Sequence, residues 1–259
     1  MKNKYITSLG VELEGGISKS GLQKIKEYIN NNNLNEFYSS STDGSVEVSG
    51  CDISNAELRF WHTNISQVLK FVKKCFSAGF TQNETCGNHI HIRVPENILP
   101  LLELPSFYFS FIKEYKIKYA NNEKFLGRLS NRYCSASYMG SRIINQLRRY
   151  GSGNRYASIN FLSLFEPQAT IEFRIFPYCS SIEEYKEMVD WFIATVNKLI
   201  KKEFNKRLVA KQINVKTIPL TDEYNLQLKA ITSEETFTNY LLKTINDENN
   251  KSKVIYSLK

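Results

Sequence analysis

The stretch Tyr5–Gly16, YITSLGVELEGG, alternates apolar and polar side chains before it reaches two glycines. This period of two predicts a strand over Tyr5–Leu13 that ends at the glycine pair. Side chains two positions apart on a strand point to the same face, so Glu12 and Glu14 lie together while Leu13 points to the other side. The stretch therefore predicts a sheet with one apolar face and one charged face.

Two later segments repeat this arrangement of polar residues around an apolar one. A predicted strand over Asn88–Val94 carries His89-Ile90-His91, and one over Thr170–Phe176 carries Glu172-Phe173-Arg174. In each triplet the outer side chains share a face and the middle residue is apolar. The three segments together predict a sheet with an apolar back and a functional front.

Each polar pair also has an ordinary structural explanation. A solvated strand face accounts for the two glutamates, hydrogen bonding at a strand end for the two histidines, and a cross-strand ion pair for Glu172 with Arg174. Together the pairs favour a metal site, because neighbouring carboxylates resist joint ionisation unless a cation neutralises them. Carboxylates with one imidazole suit Mg²⁺ or Mn²⁺. Zinc is the competing metal, with His89, His91 and Cys86 as ligands.

The remaining patterns predict helices and strands without a strict βαβ rhythm. Such a mixture favours an α+β fold, a largely antiparallel sheet with helices packed on one face and the active site on the other. Capping boxes mark two helix starts: Asn64 with Gln67, and Ser181 with Glu184 at the head of a long amphipathic helix. The other predicted helices are Gly21–Ile29, Ser106–Tyr119 and Ser141–Tyr150. Asp43-Gly44 is a predicted turn, and the other predicted strands are Ser45–Ser49, Ala56–Phe60 and Ala157–Leu164.

The composition is that of an ordinary globular protein, with 42% hydrophobic and 23% charged residues in a chain of 259. We expect a catalytic domain over residues 1–200 and a helical or irregular tail over 201–259 that packs on it or contacts substrate. Five cysteines, an odd number, argue against a disulfide framework, and Glu12 and Glu14 interrupt any signal-peptide core. No apolar stretch reaches the roughly 20 residues of a membrane span. The expected location is the cytoplasm, without a membrane partner.

The net charge is +8, and the tail over 201–259 carries 11 Lys and Arg against 7 Asp and Glu. A basic excess suits ATP or an acidic substrate as well as nucleic acid. A non-catalytic nucleic-acid-binding protein is therefore one alternative, and a zinc-dependent hydrolase that uses the His-x-His pair is another. The nucleic-acid alternative gives no reason for three polar pairs on sheet faces, so it is the less favoured interpretation.

Seven short motifs follow one another along the chain. They are GVELE at 10–14, DGS at 43–45, AEL at 56–58, CGNHIH at 86–91, RLSNRYC at 128–134, RYASIN at 155–160 and TIEFRIF at 170–176. They occur in the order in which amidoligases carry them, and the chain resembles that family over residues 5–200. The same order resembles glutamine synthetase, whose site is built from an E-x-E strand, an H-x-H segment and an E-x-R strand. The resemblance implies a glutamine-synthetase-like fold and a site for ATP with Mg²⁺ or Mn²⁺.

The resemblance also implies roles for individual residues. By this carry-over Arg174 and Arg155 contact the transferred phosphoryl group, and Asn160 and Arg132 help to bind the nucleotide. The resemblance implies two or three divalent ions that bridge the ATP phosphates, and their implied ligands are Glu12, Glu14, Glu57, His89 and Glu172.

Two further residues are catalytic candidates with alternatives. Asp43 is also explained by a plain hairpin turn, and His91 faces either the metal ligands or the substrate. The chain departs from the family after Glu57: where the family often continues to Ser-Pro, this sequence has Arg59-Phe60. Arg59 shares a strand face with Glu57, so we expect the two side chains to pair.

The implied reaction joins a carboxylate to an amine. ATP first converts the carboxylate to an acyl phosphate, and the amine then attacks it to form a peptide or isopeptide bond. Metals and arginines supply the positioning and the positive charge that such a phosphoryl transfer needs. The sequence contains neither a P-loop nor a G-x-G-x-x-G motif. Amino acids, peptides and protein side chains all remain candidate substrates, and the oligomeric state is open.

Overall fold

The computed structural model describes residues 5–95, 97–137, 156–165 and 169–212, with side chains through residue 206. The strands in these ranges are β1 (Ser8–Ile17), β2 (Tyr38–Thr42), β3 (Ile53–His62), β4 (Gly87–Arg93), β5 (Ile159–Asn160) and β6 (Ile171–Pro177). The helices are α1 (Lys19–Asn31), α2 (Ile65–Ser77), α3 (Leu99–Leu102), α4 (Pro105–Lys118), α5 (Glu123–Arg128) and α6 (Ile182–Gln212). Short 3₁₀ turns cover Asn35–Phe37 and Leu162–Phe165.

The strands form one sheet in the order β2-β3-β1-β4-β6-β5, and each neighbouring pair is antiparallel. The predicted α+β architecture with an antiparallel sheet is confirmed at this level. Residues directly opposite each other in such pairs point to the same face. The opposed pairs on the polar face are Glu12 with Arg59 and with His89, Glu14 with Glu57, and Glu172 with His91 and with Asn160.

The residues between these polar side chains form the opposite, apolar face, where α2, α4 and α6 pack. Phe60 of β3 stacks on Phe71 of α2, with ring centroids 4.5 Å apart. Phe173 of β6 contacts Phe111 of α4 at 5.3 Å and Phe192 of α6 at 4.8 Å. Aromatic pairs at these distances add to the free energy gained by burial. The prediction that helices pack on the apolar face is confirmed for these three.

Tyr115 of α4 ties α5 to the sheet. Its buried hydroxyl lies 3.0 Å from the carbonyl oxygen of Phe125 in α5 and 3.0 Å from that of Ile175 in β6. The one proton of the hydroxyl can be donated to either carbonyl or shared between them. This contact links α5 to β6, and Arg128, the last residue of α5, contacts the backbone of Arg174 in β6.

β1 runs to Ile17 instead of ending at Gly15 and Gly16. A Cβ at Gly15 would lie 2.4 Å from the carbonyl oxygen of Thr81, and one at Gly16 would lie 2.7 Å from the Sγ of Cys51. The glycines thus permit close approach of neighbouring chain segments within the strand. The predicted end of this strand was wrong for that reason.

The predicted strand over Ser45–Ser49 is also wrong. Val46 and Val48 are buried, but they pack with Cys86 in a small separate cluster in a turn region. The strand in this region is β2, which precedes the turn and which the sequence did not predict. The alternation of apolar residues correctly indicated that Val46 and Val48 are buried, but the segment itself is not a strand of the sheet.

The predictions near the C-terminal half have mixed outcomes. The helix from Ser181 is confirmed: the Oγ of Ser181 accepts the backbone N–H of Glu184 at 3.1 Å, and the Glu184 carboxylate accepts the N–H of Ser180 at 2.7 Å. The strand predicted over Ala157–Leu164 is reduced to β5. The helix predicted over Ser141–Tyr150 lies outside the described residues.

The helix α6 passes without a break through the predicted boundary at residue 200, and residues 213–259 of the predicted tail lie outside the described part of the chain. Among the helices that the structure describes, none combines the length and the apolar character needed to cross a bilayer.

Candidate metal centre

The five predicted metal ligands converge on the polar face of the sheet. They come from β1, β3, β4 and β6, and each is between 1% and 7% exposed: Glu12, Glu14, Glu57, His89 and Glu172. Among the described residues they form two overlapping groups, whose potential ligand atoms lie within 4.8 Å of one another. One group is Glu12 with His89 and Glu172, and the other is Glu12 with Glu14 and Glu57.

His89 lies among three of these carboxylates. Its Nδ1 is 2.9 Å from the Oε1 of Glu12 and 3.0 Å from the Oε1 of Glu172, and its Nε2 is 3.4 Å from the Oε1 of Glu14. Burial and the Arg174 cation act to lower the pKa of His89, but the carboxylates of Glu14 and Glu12 outweigh them and raise it to about 9. The imidazole is therefore protonated at neutral pH and must lose a proton before it can ligate a metal.

Glu12 is shared between cations on both sides of β1. Its Oε1 faces His89, while its Oε2 is 3.0 Å from the Nε of Arg59 and 3.7 Å from the Nε2 of His91. Burial acts to raise the pKa of Glu12, yet the two histidines lower it well below its usual range. The repulsion expected between neighbouring carboxylates is thus offset in part by the cations of the protein itself.

Glu172 and Arg174 form a buried ion pair on β6. The Nη1 of Arg174 is 2.6 Å from the Oε1 of Glu172, and its Nε donates to the carbonyl of Tyr133 at 3.2 Å. The amide of Asn160 donates to the Oε2 of Glu172 at 2.7 Å. Burial acts to raise the pKa of Glu172, but Arg174 and His89 lower it to about 2. Glu172 is held as an anion, and the orientation of the Arg174 guanidinium is fixed at two nitrogens.

Glu57 and Arg59 form a second pair on β3, as the sequence predicted. The Nη2 of Arg59 contacts the Oε1 of Glu57, which also accepts the hydroxyl of Ser41 at 2.8 Å. The Arg59 side chain is 47% exposed. Burial and the neighbouring Glu12 carboxylate raise the pKa of Glu57 to about 7. Near neutral pH this carboxyl is divided between its charged and neutral forms.

Arg128 belongs to the site although the sequence did not single it out. Its Nη2 donates to the carbonyl of Arg174 at 3.0 Å, and its buried Nε has no hydrogen-bond partner among the described residues. A Cβ at Gly87 would lie 2.8 Å from the Arg128 Nη2, 3.1 Å from the Glu14 Oε2 and 3.2 Å from the His89 Nε2. Gly87 therefore leaves the space in which these three groups meet, and its N–H donates to Glu14 at 2.5 Å.

The other predicted site residues lie outside both ligand groups. The Oδ1 of Asp43 accepts the N–H and the hydroxyl of Ser45, each at 2.7 Å, which is the pattern of a turn. The Nδ1 of His91 lies 3.1 Å from the Thr170 hydroxyl. Arg132 is exposed and contacts the Tyr133 ring. Arg155 falls outside the described residues.

Cys86 is oriented toward a loop. Its Sγ accepts the backbone N–H of Asn83 at 3.4 Å, and it packs with Val46 and Val48. In the part of the chain that the structure describes, neither ligand group contains Cys86 or His91. The ligand set expected for zinc is therefore not brought together, whereas the carboxylate-rich groups with one imidazole suit a hard divalent cation.

No family model matches the chain, and searches of curated proteins and of solved structures found no match either.

Proposed function

We propose that the chain is an ATP- and Mg²⁺-dependent carboxylate–amine ligase with a glutamine-synthetase-like fold. The observation that carries the proposal is the burial of four glutamates and one histidine on one sheet face, beside Arg59, Arg128 and Arg174. Burying charged groups costs free energy unless they are paired or bind ions, so such a concentration points to chemistry. In this cluster the carboxylates can bind a metal ion and the guanidinium groups can bind phosphate, so the cluster suits a metal–phosphate substrate.

Glu12, His89 and Glu172, with Glu14 beside them, would hold the divalent ion. These residues supply carboxylate oxygens and one imidazole nitrogen within 4.8 Å in the first group. When bound, Mg²⁺ neutralises phosphate charge and orients the γ-phosphoryl group. The burial of these ligands below 8% exposure also limits competition by water.

Arg174 would hold the transferred phosphoryl group. Its planar guanidinium matches two phosphate oxygens, and its contacts with Glu172 and Tyr133 set the plane before substrate arrives. Arg128 holds the Arg174 backbone from the other side. A group whose orientation is fixed in advance costs little reorganisation when charge develops. The proposal also gives Arg155 contact with the transferred phosphoryl group, and Arg132 and Asn160 a part in binding the nucleotide.

The reaction then proceeds in two steps. An oxygen of the substrate carboxylate attacks the γ-phosphorus, ADP leaves, and an acyl phosphate forms. The amine attacks the acyl carbon, gives up a proton to a base, and expels inorganic phosphate. His91 is the better placed base candidate, because its Nε2 faces Glu12 at 3.7 Å, whereas the Asp43 carboxylate accepts hydrogen bonds within its turn.

The test is phosphate release from ATP and Mg²⁺ across a panel of carboxylates paired with amines, with product masses recorded. We expect release that needs both substrates and the divalent ion, and a product mass equal to the two substrates less one water. Glu14→Gln should lower the rate at least about a hundredfold. The matched control is Glu27→Gln on the exposed face of α1, which should retain the rate.

Two results would oppose this function. ATP turnover that persists after removal of divalent ions would exclude the proposed metal site. Absence of turnover over the whole panel, together with tight and salt-dependent binding of nucleic acid, would favour the non-catalytic alternative.

A further inference from the structure

The second ligand group, Glu12 with Glu14 and Glu57, already contains a cation. Arg59 lies directly opposite Glu12 in the β1–β3 register. Its Nε is 3.0 Å from the Oε2 of Glu12, and its Nη2 contacts the Oε1 of Glu57. One guanidinium thus bridges two of the three carboxylates that would otherwise offer oxygens to a metal ion.

The first ligand group contains an imidazole where the second holds a guanidinium. The Nδ1 of His89 lies 2.9 Å from Glu12 and 3.0 Å from Glu172. An imidazole nitrogen is a common metal ligand. A guanidinium keeps its charge at every pH that a protein tolerates and has no lone pair to offer a metal. The first group can therefore use all of its members as ligands, whereas the second group holds a permanent cation.

Glu12 connects the two groups and divides its oxygens between them. Oε1 faces His89 and Oε2 faces Arg59. A metal ion that used both oxygens of Glu12 would compete with the guanidinium of Arg59 for the same carboxylate oxygens. Because Glu12 and Glu57 are 7% and 5% exposed, a displaced Arg59 would lose two charge interactions that water screens only weakly.

We propose that Arg59 is a tethered cation that takes the place of one divalent ion, so that the polar face binds a single divalent ion in the His89 group. This inference rests on the proposed function, since it concerns the metal site of that function. It assigns Arg59 a positioning role: its guanidinium binds oxygens of Glu12 and Glu57, so those oxygens are not free to bind a second metal ion. The Arg59 side chain is 47% exposed, so part of its permanent positive charge also faces solvent.

The test is the number of Mn²⁺ ions bound per chain, measured by equilibrium dialysis and by electron paramagnetic resonance without nucleotide. We expect one ion for the wild type and two for Arg59→Gln, which removes the charge while keeping an amide that can hydrogen-bond. Arg59→Lys keeps the charge and should bind one ion. Arg93→Gln, the same substitution on an exposed residue of β4, should also bind one.

The possible outcomes separate this inference from the function it rests on. Two ions on the wild type, or a single ion on a folded Arg59→Gln protein, would overturn the tethered-cation role and leave the ligase proposal standing. No bound Mn²⁺ on the wild type would overturn both. If Arg59→Gln does not fold, Arg59→Met removes the same charge and is expected to bind two ions, while two ions on the wild type remain the decisive contrary result.

Discussion

Two strands of the sheet carry the same Glu-x-Arg pattern, Glu57 to Arg59 on β3 and Glu172 to Arg174 on β6. In both, the middle residue is buried in the core and the outer two point to the polar face. Yet the pKa of Glu57 is raised to about 7, whereas that of Glu172 is lowered to about 2. An identical local pattern therefore produces opposite protonation behaviour.

The difference between the pKa values of Glu57 and Glu172 arises mainly from the neighbouring side chains that other strands contribute. Glu172 accepts from Arg174 and Asn160 and faces protonated His89, and the Arg174 side chain is only 14% exposed. Glu57 is also buried, but it faces the Glu12 carboxylate, and its arginine is half in solvent. A cation in water is screened more strongly than a buried one. Tertiary surroundings, more than the pair itself, thus decide whether the carboxylate stays charged.

The largest expected contrast is in stability. Glu172→Gln removes the carboxylate that is ion-paired with the buried Arg174, so we expect a loss of about 3–5 kcal/mol in the free energy of unfolding. Glu57→Gln should cost less than about 1 kcal/mol at pH 7, because Glu57 is partly neutral there and Arg59 is exposed to solvent. Chemical denaturation of both metal-free variants at pH 7 measures the difference. Equal losses would show that the two pairs are equivalent.

The second contrast is kinetic. Arg174→Lys keeps the charge but loses the planar group that matches phosphate oxygens, so we expect the rate to fall by roughly tenfold to a thousandfold, about 1.4–4 kcal/mol. ATP affinity should change little. Arg59→Lys should lower the rate by at most about threefold, because the tethered charge remains. Steady-state kinetics with matched thermal melts decides, and a normal rate for Arg174→Lys would remove Arg174 from the chemistry.

The third contrast is the pH dependence of stability in metal-free protein. Since the folded pKa of Glu57 is raised from 4.5 to about 7, folding favours its protonated form. This contribution is fully present below pH 4.5 and is lost as the pH rises through 7, a change on the order of 1–3 kcal/mol. The difference in unfolding free energy between wild type and Glu57→Gln, measured from pH 4.5 to 8, isolates it. A difference that does not vary with pH would contradict the raised pKa.

The smallest expected effect concerns Cys86, which lies outside both pairs. Because its thiol contacts a loop and packs with valines, Cys86→Ser should change divalent-ion affinity by less than about twofold. His89→Ala, by contrast, removes a ligand and should weaken Mn²⁺ binding by at least about tenfold. Equal weakening by both substitutions, together with retained zinc, would favour the hydrolase alternative.

The sequence predicted the two-faced sheet because a period of two is a local property. It missed β2, whose residues Tyr38–Thr42 read YSSST and show no apolar alternation. Among the described strands it pairs with β3 alone, and it is mostly exposed. It therefore lacks the apolar residues that mark the central strands. Backbone hydrogen bonding to β3 defines it, and that partner lies farther along the chain.

The sequence predicted the five candidate ligands, but it did not predict all of the side chains that contact them. Arg128 reaches the site from α5, which Tyr115 links to β6, and no local spacing in the sequence predicts such a contact. The pairing of Arg59 with Glu57 was predictable, since the two share a strand face. Its reach to Glu12 was not, because it depends on the β1–β3 register.

The alternation along β4 has a consequence for how the protein can misfold. A slip of one residue between β4 and β1 would turn His89 and His91 toward the helices and place Ile90 and Ile92 on the charged face. A one-residue slip therefore damages the core and the site together. Chains misfolded in this way carry apolar side chains on the wrong face, so a cell that degrades misfolded chains would remove them together with their misplaced histidines.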